Sequence, residues 1–366
     1  MRQLKVKQHI AWKSLKRYET IPMKVCVIGG TGNISTSIVM RLLKQNHEVF
    51  CFNRGQSGLA PEGARSIIGD RNDQEVFEKA MQDESFDFAI DMVCMDANQA
   101  ASSIRAFRGV QQFVMCSTVS TYGVQYDWFP TTEDHPLRPT TDYGRGKAKA
   151  DQVFMDAYER QGFPVTIIKP STTYGPRMGL VRQISWDFTW IDRIRKGKPI
   201  LVCGDGSAKH QFMHVDDAAL AFSGVLGKKQ CIGKVYNMVN RKYCTWAEYH
   251  TTAMKVIGKK VELVGVPYTD LERLKVPAFD ICRDIFSHNL YYSSEKLFSD
   301  VPEFQPQISL EKGMRQVLKV MDRDGRIPNS DKLIWEDQII KRQRQGSIGR
   351  NSLSNYFIKK LTRLLR

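Results

Sequence analysis

The run "KVCVIGGTGNIS", Lys24 to Ser35, constrains the fold more than any other part of this 366-residue chain. Five residues suited to a buried strand break into a glycine turn. Ile34, Ile38 and Leu42 then recur at helical spacing, with Met40 and Leu43 beside them. A strand, a turn spaced G-x-x-G-x-x-S and a helix open a βα unit. Gly29 permits the tight turn, Gly32 lets the backbone approach a pyrophosphate, and Ser35 is small enough to pack helix on strand. Asn33 and Ile34 open the helix, whose N-terminus favours negative charge. In this context the turn predicts a dinucleotide site.

The alternation continues along the chain. "EVFCF" (48–52), "RSIIGD" (65–70), "DFAIDMVCM" (87–95), the run 113–116 and "PVTIIKP" (164–170) read as strands two to six. "YGRGKAKADQVFMDAYERQG" (143–162) reads as a helix closed by glycine. Strands alternating with helices predict an α/β fold with a doubly wound parallel sheet. After Pro176 the order loosens, and the turn "CGDGSAKHQ" (203–211) introduces mixed segments. The expected organisation has four parts. Residues 1–22 form a basic extension and 23–176 the nucleotide-binding domain. Residues 177–340 form mainly a smaller α/β substrate domain, with segments returning to the large sheet. Residues 341–366 form a basic tail, with Phe357, Leu361, Leu364 and Leu365 on one helical face.

Charge separates the ends from the body. Of a net +15, residues 1–22 carry +5 and residues 341–366 carry +8, which leaves +2 between them. A near-neutral body makes nucleic acid an unexpected partner, while the basic amphipathic tail is compatible with peripheral contact to an anionic membrane. No apolar run approaches 18 residues, so no spanning helix is expected, and the basic N-terminus has no apolar segment of signal-peptide type. The eight cysteines stand apart without a CxxC pair. They read as reduced, buried side chains of a cytoplasmic protein, with no metal site expected.

Cofactor choice falls at the end of the second strand. An acid there would hold a ribose 2′-hydroxyl, but this chain has Asn53 and Arg54. No carboxylate repels a 2′-phosphate and a guanidinium is available to bind one, which tilts NAD(P) toward NADP. Asp70 and Arg71, after the third strand, are expected beside the adenine.

The fifth strand breaks into "CSTVSTYG", with Ser117, Thr118, Ser120, Thr121 and Tyr122. Downstream, Tyr143 and Lys147 form Y-x-x-x-K on one helical face. A lysine ammonium near a phenol favours the phenolate and should lower the tyrosine pKa, fitting Tyr143 for general acid/base work between a hydroxyl and a ketone.

The motifs "GGTGNIS", "GDRND", "STVSTYG", "TEDHPLRPTTDYGRGK", "PSTTYGP" and "HVDDAA" resemble those of the extended short-chain dehydrogenase/reductases, the NAD-dependent epimerase/dehydratase family. The resemblance runs from about Met23 to Ala219, with "YYSSEKLFSDVPEFQPQISLEKGM" (291–314) similar to the family's closing segment. It implies a Rossmann domain with a small C-terminal domain, and a homodimer. It implies a catalytic set of Thr118, Tyr143 and Lys147, with Ser117 as the neighbouring hydroxyl. Gly29, Gly32, Asn33, Ile34, Met92, Val93, Lys147 and Pro170 would line the cofactor. Ser120, Thr172, Arg177 and His210 would join Thr118 and Tyr143 around a sugar-like substrate, a nucleotide sugar being the expected class. Lys209 and Arg283 are further candidates for its anionic groups, and His214 reads as a packed core residue. Sugar 4,6-dehydratases carry Asp-Glu after the catalytic hydroxyl, where this chain has Val119 and Ser120, so epimerisation or ketone reduction is expected instead. The short segment Cys94 to Gln111 and the "NRG" after strand two are similar to the chloroplast stem-loop-binding group. That leaves, as an alternative, an RNA-binding member with a vestigial redox site.

Overall fold

In a computed structural model, which describes residues 22–345, the apolar runs become the strands of one sheet. These are β1 (Lys24–Ile28), β2 (Glu48–Asn53), β3 (Arg65–Ile68), β4 (Phe88–Asp91), β5 (Gln112–Cys116) and β6 (Val165–Pro170). The remaining strands are β7 (Thr172–Tyr174), β8 (Ile200–Cys203), β9 (Lys209–His210), β10 (Phe212–His214), β11 (Lys234–Met238), β12 (Cys244–Thr245) and β13 (Leu263–Val266). Of these, β11 joins the large sheet, whose order is β11-β6-β5-β4-β1-β2-β3, and every neighbouring pair in it is parallel. The expected return of the second part of the chain to this sheet is therefore the single strand β11. The order reverses between β1 and β4, so a crevice opens at their carboxyl ends. The glycine turn lies there.

Helices cover both faces because every central strand is apolar on both sides. Val25 and Val27 of β1 pack with Ile38, Val39 and Leu42 of α1 (Asn33–Lys44). Cys26 and Ile28 face the other way, toward Phe77 of α2 (Gln74–Gln82), Ala100 of α3 (Ala97–Ala106) and Phe154 of α4 (Asp142–Gln161). Gly162 closes α4 in the left-handed conformation, as its sequence position predicts. The fourth strand is shorter than its apolar run. Asp91 ends it by accepting a hydrogen bond from the Val93 amide (3.0 Å), and Met92 and Val93 turn into the crevice.

The second part of the chain builds two two-stranded pairs of its own, β12-β9 and β13-β8, and pairs β10 with β7 of the first part, around an aromatic core of Trp190, Phe212, Trp246 and Tyr249. Its last helix, Trp335–Arg344, buries Ile339 and Ile340 and passes through the boundary expected at 340/341. The first residues of the basic tail thus continue a packed helix. Residues 1–21 and 346–366, with the remaining charge of the two ends, lie outside the described residues. No helix among those described is long and apolar enough to cross a membrane. All eight cysteines are free thiols.

Candidate active site

Gly29 takes φ +78, and a Cβ there would stand 2.6 Å from Val93 Cγ1, so only glycine allows β4 to end against the turn. Ser35 ties the loop: its hydroxyl donates to Gly29 O (2.6 Å) and accepts from the Gly32 amide (2.8 Å). Gly32 caps α1, and a groove runs past Gly29, Gly32, Asn33, Ile34, Met92 and Val93. The N-terminus of α1 thus borders a space of the kind that takes a phosphate. The Asn33 carboxamide is already engaged, accepting from the Met178 amide (3.0 Å).

On the other side of Gly29 the groove opens into a cavity of about 300 Å³ lined by Thr31, Asn53, Arg54, Ser57, Asp70 and Asn72. Arg54 makes no hydrogen bond or ion pair with another described residue and stands exposed at the rim. Asn53 accepts from the Thr31 hydroxyl (3.3 Å). Arg71 also lines this cavity, and its buried guanidinium pairs with Asp91 (2.6 Å) and donates to Gln99 O (2.9 Å) and Ser103 Oγ (3.0 Å), bracing β4 against α3.

The strand end of β5 carries the second cluster. Thr118 caps the short turn Val119–Thr121, its Oγ1 accepting from the Ser120 amide (3.1 Å), and it lines the same two spaces as Tyr143. Lys147 is buried; its Nζ donates to Cys116 O (2.7 Å) and lies 5.8 Å from the Tyr143 ring centre. Thr141 caps α4 by accepting from the Gly144 amide (3.0 Å). Gly144 is required there because a Cβ would stand 2.6 Å from Ser120 O. Ser117 falls outside this set, as adjacent strand residues point to opposite faces. Its hydroxyl donates to Asp151 Oδ2 (2.8 Å), whose same oxygen accepts from Lys169 Nζ (2.7 Å). Ser117 still borders the groove that Thr118, Tyr143 and Lys147 line, with its hydroxyl spent on Asp151.

The Tyr143 pKa also differs from expectation. Burial holds the phenol above its ordinary value, and the opposing pull of Lys147 does not overcome it. In the protein alone Tyr143 is therefore a protonated acid at neutral pH.

Beyond Thr118 and Tyr143 lies a cavity of about 220 Å³. Ser120 and Thr172 line it, and Pro170, expected beside the cofactor, lines both this cavity and the groove. Its outer wall was not foreseen: Trp186, Ile281, Asp284, Ile285, Phe286, Leu290 and Tyr292. Residues Cys282–Phe286 form a π-turn, closed by the Ser287 amide donating to Cys282 O (3.0 Å). Such turns recur at functional sites. Three expectations for the substrate side change. His210 is fully buried behind Phe286, with Nε2 against His288 O (3.1 Å), and burial lowers its pKa to about 3. A neutral ring sealed among Phe212, Trp246 and Phe286 does not meet a substrate phosphate. Arg177 turns toward the other end of the crevice, donating to Ser57 O (3.1 Å). Arg283 is held by Asp280 and Asp284 (2.9 and 2.7 Å), and Lys209 lies over the Tyr243 ring. His214 is buried as expected, its Nδ1 accepting from the Asp216 amide (3.2 Å) as the cap of the helix Val215–Gly224.

The comparisons agree with this architecture. The sequence model of the NAD dependent epimerase/dehydratase family matches residues 25–238. Among curated relatives, 2′-dehydrokanamycin reductase of Streptomyces kanamyceticus is 28% identical over 255 residues, covering 69% of this chain and 72% of that protein. The chloroplast stem-loop binding protein of 41 kDa b of Arabidopsis thaliana is 25% identical over 306 residues, covering 80% and 77%. Among solved structures, UDP-glucuronic acid 4-epimerase of Bacillus cereus, in complex with UDP-glucuronic acid and NAD, superposes with a TM-score of 0.66 at 19% identity, covering 82% of this chain and 99% of that one. The match over the turn, the strand end and the Tyr143 helix settles the family: this chain belongs to the NAD-dependent epimerase/dehydratases.

Proposed function

We propose that this protein is an NAD(P)-dependent enzyme that interconverts a ring hydroxyl and a ketone on a sugar-like substrate, by reduction or by epimerisation through a transient ketone. One observation carries the reading. Thr118, Tyr143 and Pro170 line both the groove beside Gly29 and the cavity beyond it, so the acid/base cluster lies where the two spaces meet. The groove fits the cofactor, since a side chain at Gly29 would collide with Val93 and the capped N-terminus of α1 borders the space. Gly32, Ile34, Met92 and Val93 would hold it along the turn, with Asn53, Arg54, Asp70 and Asn72 at the adenosine end. Bound there, NAD(P) supplies or accepts the hydride.

The chain's own residues then handle the oxygen and its proton. Thr118 donates a hydrogen bond to the substrate oxygen and Tyr143 transfers the proton. Lys147, fixed by Cys116 O, favours the phenolate left behind. Free Arg54 and the lack of an acid at Asn53 support NADPH. Val119 and Ser120 carry no carboxylate beside Thr118, which argues against water elimination.

The test is cofactor identification in the purified protein, followed by Tyr143→Phe. NADPH that exchanges freely and oxidises with a ketone substrate indicates a reductase, whereas tightly retained NAD+ indicates an epimerase. Tyr143→Phe should lower turnover by about 10²–10⁴-fold with cofactor affinity unchanged. Full activity in that variant would exclude the mechanism.

A further inference from the structure

The cavity beyond Tyr143 has a charge balance that bears on its substrate. Its polar lining is made of hydroxyls (Thr118, Ser120, Thr140, Thr141, Ser171, Thr172). Among the described residues that line it, none is Lys, Arg or His, and the one charged side chain is Asp284. Each cation that could be recruited is engaged elsewhere. His210 is neutral and sealed behind Phe286, Arg177 reaches Ser57 across the crevice, and Arg283 is clasped between Asp280 and Asp284. The helix N-terminus at the rim, that of α4, is capped by Thr141 and carries Asp142 in its first turn. A diphosphate entering this space would lose hydration, gain no counter-charge and meet a carboxylate.

The same lining suits another chemistry. Asp284 receives Arg283 Nε on Oδ1 (2.7 Å) and Nη2 on Oδ2 (3.1 Å), and each carboxylate oxygen keeps a further lone pair. The aromatic faces of Trp186, Phe286 and Tyr292 offer apolar and cation–π contact to a ring bearing an ammonium. A space of about 220 Å³ is small for a nucleotide together with its sugar. We propose that the substrate is a phosphate-free amino sugar, with an ammonium set toward Asp284 and its reacting oxygen between Thr118 and Tyr143. This rests on the hydride-transfer reading above and narrows its substrate.

The test is calorimetric titration of the full chain, saturated with NADP+ or NAD+, with four probes: UDP, UDP-glucose, glucosamine and the β-1,4-linked glucosamine dimer. The proposal expects saturable binding of the glucosamine dimer and no saturable binding of UDP. In Asp284→Asn, dimer affinity should fall at least tenfold, while UDP should still show no saturable binding because Asp280 retains Arg283. Asp284 is only partly buried and Asn is nearly isosteric, and unchanged cofactor binding verifies that the variant folds. UDP or UDP-glucose binding more tightly than the amino sugars overturns the proposal. So does an amino-sugar affinity indifferent to Asp284→Asn, or a null response to both amino sugars. Failure of both cofactors to bind would instead remove the hydride-transfer reading, so the two failures are distinguishable.

Discussion

Acidification should destabilise this protein through two histidines remote from the chemistry. His210 and His250 are fully buried, and burial lowers each pKa to about 3. His250 packs among Trp190, Trp246 and Tyr249, and neither ring nitrogen has a hydrogen-bond partner among the described residues. Both rings stay neutral in the folded chain, while in the unfolded chain they protonate near pH 6.5. The unfolded state therefore binds more protons between pH 6.5 and 3, and stability falls with pH across that window. Above pH 6.5 the contribution is fully present. At pH 5 each histidine is about 1.5 pH units below its unfolded pKa, which costs about 2 kcal/mol, or about 4 kcal/mol for the pair. Urea denaturation followed by circular dichroism at pH 7 and pH 5 measures the loss. His214 and His47, also lowered by burial, act in the same direction, so the decisive quantity is a difference between variants. His250→Leu should shrink the pH 7-to-5 loss by about 2 kcal/mol. If the loss is the same in His250→Leu and wild type, the ring is not held neutral and the reasoning fails.

Other perturbations act nearer the site. Lys169→Met strands Asp151 in a buried setting and removes the partner of Thr121 Oγ1, and should cost about 3–5 kcal/mol in chemical denaturation. A loss below 1 kcal/mol would mean the pair contributes little. Arg54→Glu should weaken NADPH binding by tenfold or more while sparing NADH, as measured by the fluorescence of the bound nucleotide. Gly29→Ala should weaken both cofactors, because its Cβ would meet Val93 in a left-handed backbone. The rate of ketone reduction should stay level through neutral pH and fall only above about pH 10, the ordinary value of the phenol, because Tyr143 acts while protonated and its pKa is raised. A decline beginning near pH 7 would show a different acid.

The first half of the chain was legible because a parallel sheet writes itself locally. Its strands are continuous apolar runs, and the glycine turn between β1 and α1 joins two short-range patterns. The pocket wall is different. Ile281 to Phe286 form a turn closed from i to i+5, which leaves no apolar period, and two non-glycine residues nearby, Lys275 and Ala278, take φ of 52 and 51. Trp186 joins that wall from about a hundred residues upstream. His210 shows the opposite failure. Its position beside a glycine-rich turn resembles an anion site, yet β9 and β12 turn the ring inward, and only tertiary contacts decide that.

The hydroxyl cluster after β5 shows how one helix can assign roles to consecutive residues. Cys116 and Ser117 are held by successive turns of α4, the Cys116 carbonyl by Lys147 and the Ser117 hydroxyl by Asp151, while Tyr143, one turn earlier, lines the same spaces as Thr118. The spacing Tyr143, Lys147, Asp151 keeps all three on one side of the helix, because residues four apart lie one above the other. Y-x-x-x-K is thus the visible part of a longer pattern, Y-x-x-x-K-x-x-x-D. Its last member reaches Lys169 of β6 and through it Thr121. The position of Thr118 relative to Tyr143 is consequently set by two strands, a turn and a helix locked through buried charge. The strand end that carries Thr118 is thus tied to α4 and β6 through Asp151 and Lys169.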